Sequence, residues 1–125
     1  MFCRIYVCMN ISLEQLIQAL VDQTRLRSVL LLLQEGELCV CELVFALGEI
    51  QPKISRHLAL LRDLGVVSSR RQGQWIYYQL SPELPGWALS VIESMQLGAE
   101  NTEPFSTDLA NLKDMPNRPG SVCSA

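Results

Sequence analysis

Two cysteines separated by one residue, Cys39 and Cys41, are the pair of side chains with the most obvious chemistry in this 125-residue chain. Thiolates bind soft metals and metalloids, and thiols also form disulfides. The chain has five cysteines, an odd number without a recurring spacing, which argues against a disulfide framework. We therefore interpret the pair as a ligand site in a protein of a reducing, cytoplasmic compartment.

Composition limits the protein to one small domain. Hydrophobic residues make up 49% of the chain and charged residues 18%, as in globular proteins. The longest strictly apolar run, residues 29–33, is far too short to cross a bilayer, and the first nine residues lack the features of a secretion signal. We expect no membrane partner.

The charge distribution predicts a partner that is a polyanion. The net charge is −3, but residues 51–80 contain five basic side chains and one acid, a local balance of +4 that leaves −7 on the rest. These basic residues are Lys53, Arg56, Arg62, Arg70 and Arg71, and the acid is Asp63. A basic segment on an acidic body favours nucleic-acid binding in one orientation, although a solvated basic face gives the same count.

Helical periodicity and end signals predict short helices before this segment. Ser12 and Gln15 form a capping-box pattern, so the first helix should begin near Leu13. A second helix should follow Asp22 and stop at Gly36. A third is predicted from about Val40 to Leu47, before Gly48, and a fourth from Pro52 to about Leu64.

The fourth helix and the segment after it have the order of a winged helix-turn-helix. One face of the helix is apolar, whereas Ser55, Arg56, Ala59 and Arg62 lie on the other, as major-groove contact requires. Residues 66–70 and 75–80 are then rich in β-branched and aromatic residues, and Gly73 between them predicts a hairpin turn. Alternation places Tyr78 on the packed face of the second strand and Tyr77 on the freer one.

The residue types in this unit predict the DNA contacts. Ser55 and Arg56 should face bases, and the arginines of the hairpin should meet phosphates or the minor groove. The complete predicted set is Gln51, Lys53, Ser55, Arg56, His57, Arg62, Arg70, Arg71 and Gln74. For His57, at the edge of the apolar face, a half-buried structural role is an equal alternative.

The first and last predicted helices carry more apolar surface than a domain of this size needs. We expect them to form a homodimer interface, unless they pack only within one chain. The predicted interface comprises Leu13, Leu16, Ile17, Leu20, Trp87, Val91, Ile92 and Met95. The expected organisation is an extension over residues 1–11, a DNA-binding domain over 12–97, and a flexible tail over 98–125 without periodicity.

Together the residues predict a mainly α fold with a small β-hairpin, a dimeric winged helix-turn-helix. The segments 37–43, 51–61 and 71–75, with Cys-Val-Cys followed by Pro-Lys-Ile-Ser-Arg-His-Leu, resemble the arsenic-responsive branch of the ArsR/SmtB repressors. The resemblance covers about residues 12–95. It implies a homodimeric repressor that leaves its double-stranded operator DNA when As(III) or Sb(III), acting as inducer, binds the cysteine pair, with no organic cofactor.

One position departs from that pattern. The family has a third cysteine three residues after the second, and this chain has Val44 there. Cys3, Cys8, Cys123 or an exogenous thiol are the alternatives for a third ligand; if translation begins at Met9, the first two are absent. Because residues two apart on a helix point about 200° away from each other, we expect a shared ion to unwind the start of the third helix.

Other classes of function remain open at this point. A zinc- or cadmium-responsive repressor of the same fold is one alternative, although the chain has only one histidine to serve zinc. A thiol-redox-responsive repressor is another. The sequence has no Ser/His/Asp set, phosphate loop or paired-carboxylate cleft, so we expect no enzyme activity. A protein-interaction module, which would not bind DNA, is the third class.

Overall fold

Helices and a small sheet pack together in a computed structural model that describes residues 11–118. In chain order the elements are α1 (Leu13–Leu20), α2 (Gln23–Glu35), β1 (Glu37–Cys39), α3 (Val40–Leu47), α4 (Gln51–Asp63), β2 (Val67–Gln72), β3 (Trp75–Leu80), α5 (Gly86–Ala99) and α6 (Phe105–Lys113). The predicted starts of the first four helices and the predicted ends of α2, α3 and α4 are confirmed to within one residue.

The helix ends form for the reasons that the sequence suggests. At α1 the Ser12 hydroxyl accepts a hydrogen bond from the Gln15 backbone N–H at 3.1 Å, and the Gln15 side chain accepts from the Ser12 N–H at 2.9 Å. Gly48 ends α3 with φ of 68°, a left-handed conformation that glycine adopts without steric cost. The chain can therefore turn sharply into α4, which has Pro52 in its first turn.

The core lies between α2, α3 and α4, and the sheet closes one side of it. Its largest fully buried apolar side chains are Leu16, Val29, Leu31, Leu32, Leu38, Leu43, Ile54, Leu58, Leu61, Ile92 and Leu112. The inner face of α4 contributes three of them, so this helix is fixed along its length while its opposite face stays open. Burial of each such side chain contributes about 1.5–3 kcal/mol.

The sheet has three antiparallel strands in the order β1-β3-β2. The β2–β3 hairpin turns at Gly73, which has φ of 63°, as predicted. Strand β1 was not predicted, because three residues are too few to show alternation. It pairs Cys39 with Tyr77. Tyr77 and Tyr78 are both buried, so the expectation of a freer face at Tyr77 is wrong; the Arg70 guanidinium covers its ring, 4.6 Å from the centroid.

Helix α6 stands where the sequence analysis expected a tail without periodicity. Phe105, Leu109 and Leu112 recur at helical spacing and pack on the core, a stripe too short to have been recognised. Polar contacts also attach α6. Asp108 accepts two hydrogen bonds from the Arg27 guanidinium, at 2.7 and 2.9 Å, and both side chains are largely buried. The expectation of an unstructured tail is therefore wrong for these residues.

Within residues 11–118, no helix has the length and apolar character needed to cross a membrane.

Candidate functional site

The sulfur atoms of Cys39 and Cys41 lie 3.1 Å apart. Cys39 is the residue that precedes α3, with extended backbone angles (φ −76°, ψ 153°), while Cys41 is in the first turn of the helix. The expectation that one ion must unwind α3 to reach both sulfurs assumed that both residues are helical. That assumption is wrong, because the extended backbone at Cys39 already turns its side chain toward Cys41. The unwinding of α3 on ligand binding stays a prediction.

Both thiols are shielded from solvent, Cys39 fully and Cys41 in part. Burial, followed by the nearby Cys39 sulfur, raises the pKa of the Cys41 thiol to about 12. The Cys41 thiol is therefore a poor nucleophile at neutral pH. A thiophilic ion that binds both sulfurs must release their protons.

A buried carboxylate holds the backbone of this pair. One oxygen of Glu42 accepts a hydrogen bond from the Cys39 N–H at 2.7 Å, and the other accepts from the Arg118 Nε at 2.7 Å. Glu42 is only 1% exposed, so these hydrogen bonds replace the contacts with water that its carboxylate has lost. The sequence analysis missed this role. The sequence did contain a signal for this role. Glu42 lies three residues after Cys39, which is where a capping box has its acidic residue.

The cysteines share a cavity of about 300 Å³ with other residues of α3 and with residues of α4 and the hairpin. Gln51 and Ser55, at the start of α4, line it, and so do Gln74, Trp75 and Ile76 of the hairpin. Val40 and Val44 of α3 complete the lining. The thiol pair therefore faces the same space as three side chains from the predicted DNA-contact set.

The donor set fits a thiophilic ion with two protein ligands. No cluster of three or more His, Cys, Asp or Glu side chains suitable for a metal ion occurs within residues 11–118. The predicted third ligands Cys3, Cys8 and Cys123 lie outside the described residues. Glu42, the nearest acid in sequence, is occupied by Cys39 and Arg118.

The predicted DNA contacts divide into open and engaged side chains. Gln51, Arg56, Arg62, Arg71 and Gln74 are exposed, and of these Arg62 lies 3.8 Å from the carboxylate of Asp63. Ser55 is half-buried at the cavity, and Lys53 is paired with Glu49 at 3.2 Å. Arg70 is also engaged: it donates to both carboxylate oxygens of Glu37 at 2.8 Å each. An open, mainly cationic surface thus runs along the outer face of α4 to the tip of the hairpin.

His57 faces the interior rather than this surface. Its Nδ1 lies 3.2 Å from the Arg25 guanidinium, so Nδ1 accepts and the ring is neutral with its proton on Nε2, 3.8 Å from Asp22. Burial, with the neighbouring cations, lowers the pKa of His57. Arg25 also donates to the carbonyl of Ala19 at the end of α1. The geometry favours a structural role for His57 over a DNA contact, because its ring links α4 to α2 and, through Arg25, to α1.

The residues predicted for a dimer interface also divide into two sets. Leu16, Leu20 and Ile92 are buried within the single chain, whereas Leu13, Ile17, Trp87 and Val91 are exposed and Met95 is half-buried. All of them except Trp87 and Ile92 line, with Val21, an apolar groove of about 230 Å³ between α1 and α5. The structure thus brings the two terminal apolar stripes of the domain together on one surface.

The order of elements defines the class: α3 and α4 form a helix-turn-helix, and the basic β2–β3 hairpin follows as the wing, so the protein has a winged-helix DNA-binding fold. Residues 22–69 match the family described as "Bacterial regulatory protein, arsR family". The chain belongs to this arsR family of bacterial regulatory proteins.

Individual relatives place the chain within the family. It is 57% identical to the arsenical resistance operon repressor of Escherichia coli, over 77% of this chain and 83% of that protein. It is 50% identical to the arsenic resistance transcriptional regulator ArsR2 of Pseudomonas putida, over 85% and 92%. Among solved structures, the AntR antimony-specific transcriptional repressor is similar with a TM-score of 0.59 and 29% identity, over 69% of this chain and 75% of that one.

Proposed function

We propose that the protein is a metalloid-responsive repressor, which binds operator double-stranded DNA as a homodimer and leaves it when trivalent arsenic or antimony binds Cys39 and Cys41. The observation that carries this proposal is the shared cavity, in which the thiol pair faces the start of α4 and the wing. The names of the relatives, which include arsenical resistance repressors, support the choice of inducer.

Release follows from where the ligand sits. An arsenic or antimony atom held by both sulfurs occupies the cavity next to Gln51, Ser55 and Gln74. Binding at both sulfurs changes the contacts that these side chains make in the cavity, and we expect the start of α4 and the tip of the wing to shift relative to each other. DNA binding requires α4 and the wing in one relative position. The protein therefore cannot hold the metalloid and its operator at the same time.

The homodimer positions two such units on one operator. Its proposed interface is the α1–α5 groove, because this groove is apolar and no residue of α4 lines it. Two-fold symmetry places two reading helices on successive major grooves, which an operator with inverted half-sites matches.

Fluorescence anisotropy of the reduced protein on the DNA upstream of its gene tests the proposal. Arsenite or antimonite should release the DNA, whereas Cys39→Ser and Cys41→Ser should each bind DNA normally and resist release. Thr107→Ala, an exposed change on α6 that leaves both thiols and the cavity intact, is the control and should still respond. Normal induced release in either serine variant would contradict the proposal, and failure to bind any DNA would favour an interaction module.

The 3.1 Å separation of the two sulfurs also favours a second candidate, a repressor that responds to thiol oxidation. Oxidation to a disulfide would draw the sulfurs to about 2.05 Å. Release by peroxide without metalloid, reversed by a phosphine reductant, would assign this function. Zinc and cadmium in the same assay decide whether a divalent ion is the inducer.

A further inference from the structure

The space beside the thiol pair is largely apolar. Val40 and Val44 of α3 and Trp75 and Ile76 of the wing line the cavity next to the sulfurs. Its volume of about 300 Å³ exceeds what a single arsenic or antimony atom fills. Beside the two sulfur ligands the described residues thus offer four apolar side chains, while Gln51, Ser55 and Gln74 line the rest of the cavity.

We propose that the site is matched to trivalent organoarsenicals, in which arsenic carries one carbon substituent and two exchangeable oxygen ligands. This inference rests on the proposed function and names the ligand class of the same site. Two As–S bonds form and two As–O bonds break. The two thiol protons leave with the two oxygen ligands as water, so the exchange needs no oxidant or reductant.

Valence explains why two sulfurs suffice for such a ligand. Trivalent arsenic forms three bonds, and in an organoarsenical one of them is a stable As–C bond. Two thiolates therefore complete the coordination without a third protein ligand. Inorganic arsenite held by the same pair has a hydroxyl group as its third ligand, so the protein supplies only two of its three arsenic bonds and the hydroxyl gains nothing from the four apolar side chains.

The cavity has room for the carbon substituent. An apolar cavity of about 150 Å³ is enough for benzene in another protein. A phenyl or methyl group on arsenic can therefore lie against Val44 and Ile76, with the Trp75 ring beside it. The apolar surface that this group buries strengthens binding.

Val44 is the residue that decides this selectivity. It follows Cys41 by three residues on α3, so the two side chains lie on the same face of the helix. A thiol at this position would stand beside the pair and supply a third sulfur. Val44 offers an apolar surface instead.

The test compares phenylarsine oxide with arsenite on the full-length protein, kept reduced by a phosphine so that no added thiol competes. DNA release is followed by anisotropy, and ligand binding separately by tryptophan fluorescence, because Trp75 lines the cavity. Wild-type protein should be released by phenylarsine oxide at a concentration at least about tenfold lower than by arsenite.

Substitutions at Val44 separate selectivity from the greater intrinsic thiol reactivity of phenylarsine oxide. Val44→Cys should lower the arsenite concentration for half release by about tenfold and leave that for phenylarsine oxide nearly unchanged. Val44→Leu, which narrows the cavity and adds no ligand, should weaken the response to phenylarsine oxide only.

The other outcomes distinguish a failure of this inference from a failure of the proposed function. Release of the wild type by arsenite at an equal or lower concentration than by phenylarsine oxide would overturn the inference and leave the proposed function intact. The same holds if Val44→Cys shifts both responses equally. Binding of DNA without release by either compound would overturn the proposed function itself.

Discussion

Arg118 and Glu42 form an ion pair between the far end of the described chain and the first turn of α3, with Nε and Oε2 at 2.7 Å. Arg118 also lies 3.7 Å from Glu35, at the end of α2. Because Glu42 holds the Cys39 backbone through its other oxygen, the segment after α6 is connected to the thiol pair through one carboxylate.

Replacing Arg118 by Ala should destabilise the protein by about 1–3 kcal/mol, since it leaves a buried carboxylate without its cation. Urea unfolding measures the change. Glu42→Gln removes the charge that Arg118 neutralises. The double variant, Arg118→Ala with Glu42→Gln, should therefore recover part of the stability that Arg118→Ala loses. Additive effects of the two substitutions would show that the pair is not coupled.

The Arg27–Asp108 pair attaches α6 to the body of the domain, and Arg27 also donates to the Leu47 carbonyl at 2.9 Å. Asp108→Ala should cost about 3–5 kcal/mol, because it leaves a largely buried guanidinium without its counterion. Thr107→Ala, at the exposed neighbouring position, is the control and should change stability little. A loss below about 1 kcal/mol by urea unfolding for Asp108→Ala would mean that α6 does not depend on this pair.

Arg71 and Arg70 should differ in their effects on DNA binding although they are adjacent. Arg71→Ala should reduce the salt dependence of binding by about one unit of slope, as expected for one lost phosphate contact. Arg70→Ala should reduce the slope less, because Glu37 already neutralises Arg70. Binding measured across a series of salt concentrations tests both variants. An unchanged slope for Arg71→Ala would contradict its assignment to the wing contact.

Val91 and Leu97 provide a matched test of the dimer surface, since both are exposed apolar residues of α5. Only Val91 lines the α1–α5 groove. Val91→Lys should shift the protein toward monomers in sedimentation experiments, and Leu97→Lys should not. Dimers that persist in the Val91 variant, or dissociate equally in both, would place the interface elsewhere.

Stability should fall in mildly acidic solution because of His57. Burial, with Arg25, Arg56 and Lys53, lowers the pKa of His57 from its usual 6.5, against the opposing effect of Asp22. Between the lowered pKa of His57 in the folded protein and its usual pKa in the unfolded chain, the unfolded chain therefore binds more protons than the folded one. The stabilisation is complete above about pH 6.5 and is lost as the pH falls toward the folded-state pKa.

His57→Asn keeps an acceptor for Arg25 and removes the titrating ring, so its stability should change less between pH 7.5 and about 5.5. Urea midpoints at the two pH values give the comparison. The pKa of Asp22 is itself lowered, so its loss of charge belongs to pH values below about 4 and does not affect this window. Parallel pH profiles for the two proteins would exclude His57 as the cause.

The sequence by itself determined the helix-turn-helix and the wing, because local signals specify them. The Ser12–Gln15 capping box, Gly48, Pro52 and the glycine of the hairpin act within a few residues along the chain. The thiol pair was likewise recognisable from spacing. The open cationic face of α4 followed from helical periodicity.

Only the tertiary structure decided how these parts meet. The extended backbone at Cys39 depends on pairing with β3, almost forty residues away, so the 3.1 Å approach of the two sulfurs could not be read from their spacing. Glu42, Arg118 and the apolar cavity depend in the same way on contacts between distant segments. Spacing along the chain identifies which residues have the chemistry, but long-range packing fixes their backbone angles, their partners and the space around them.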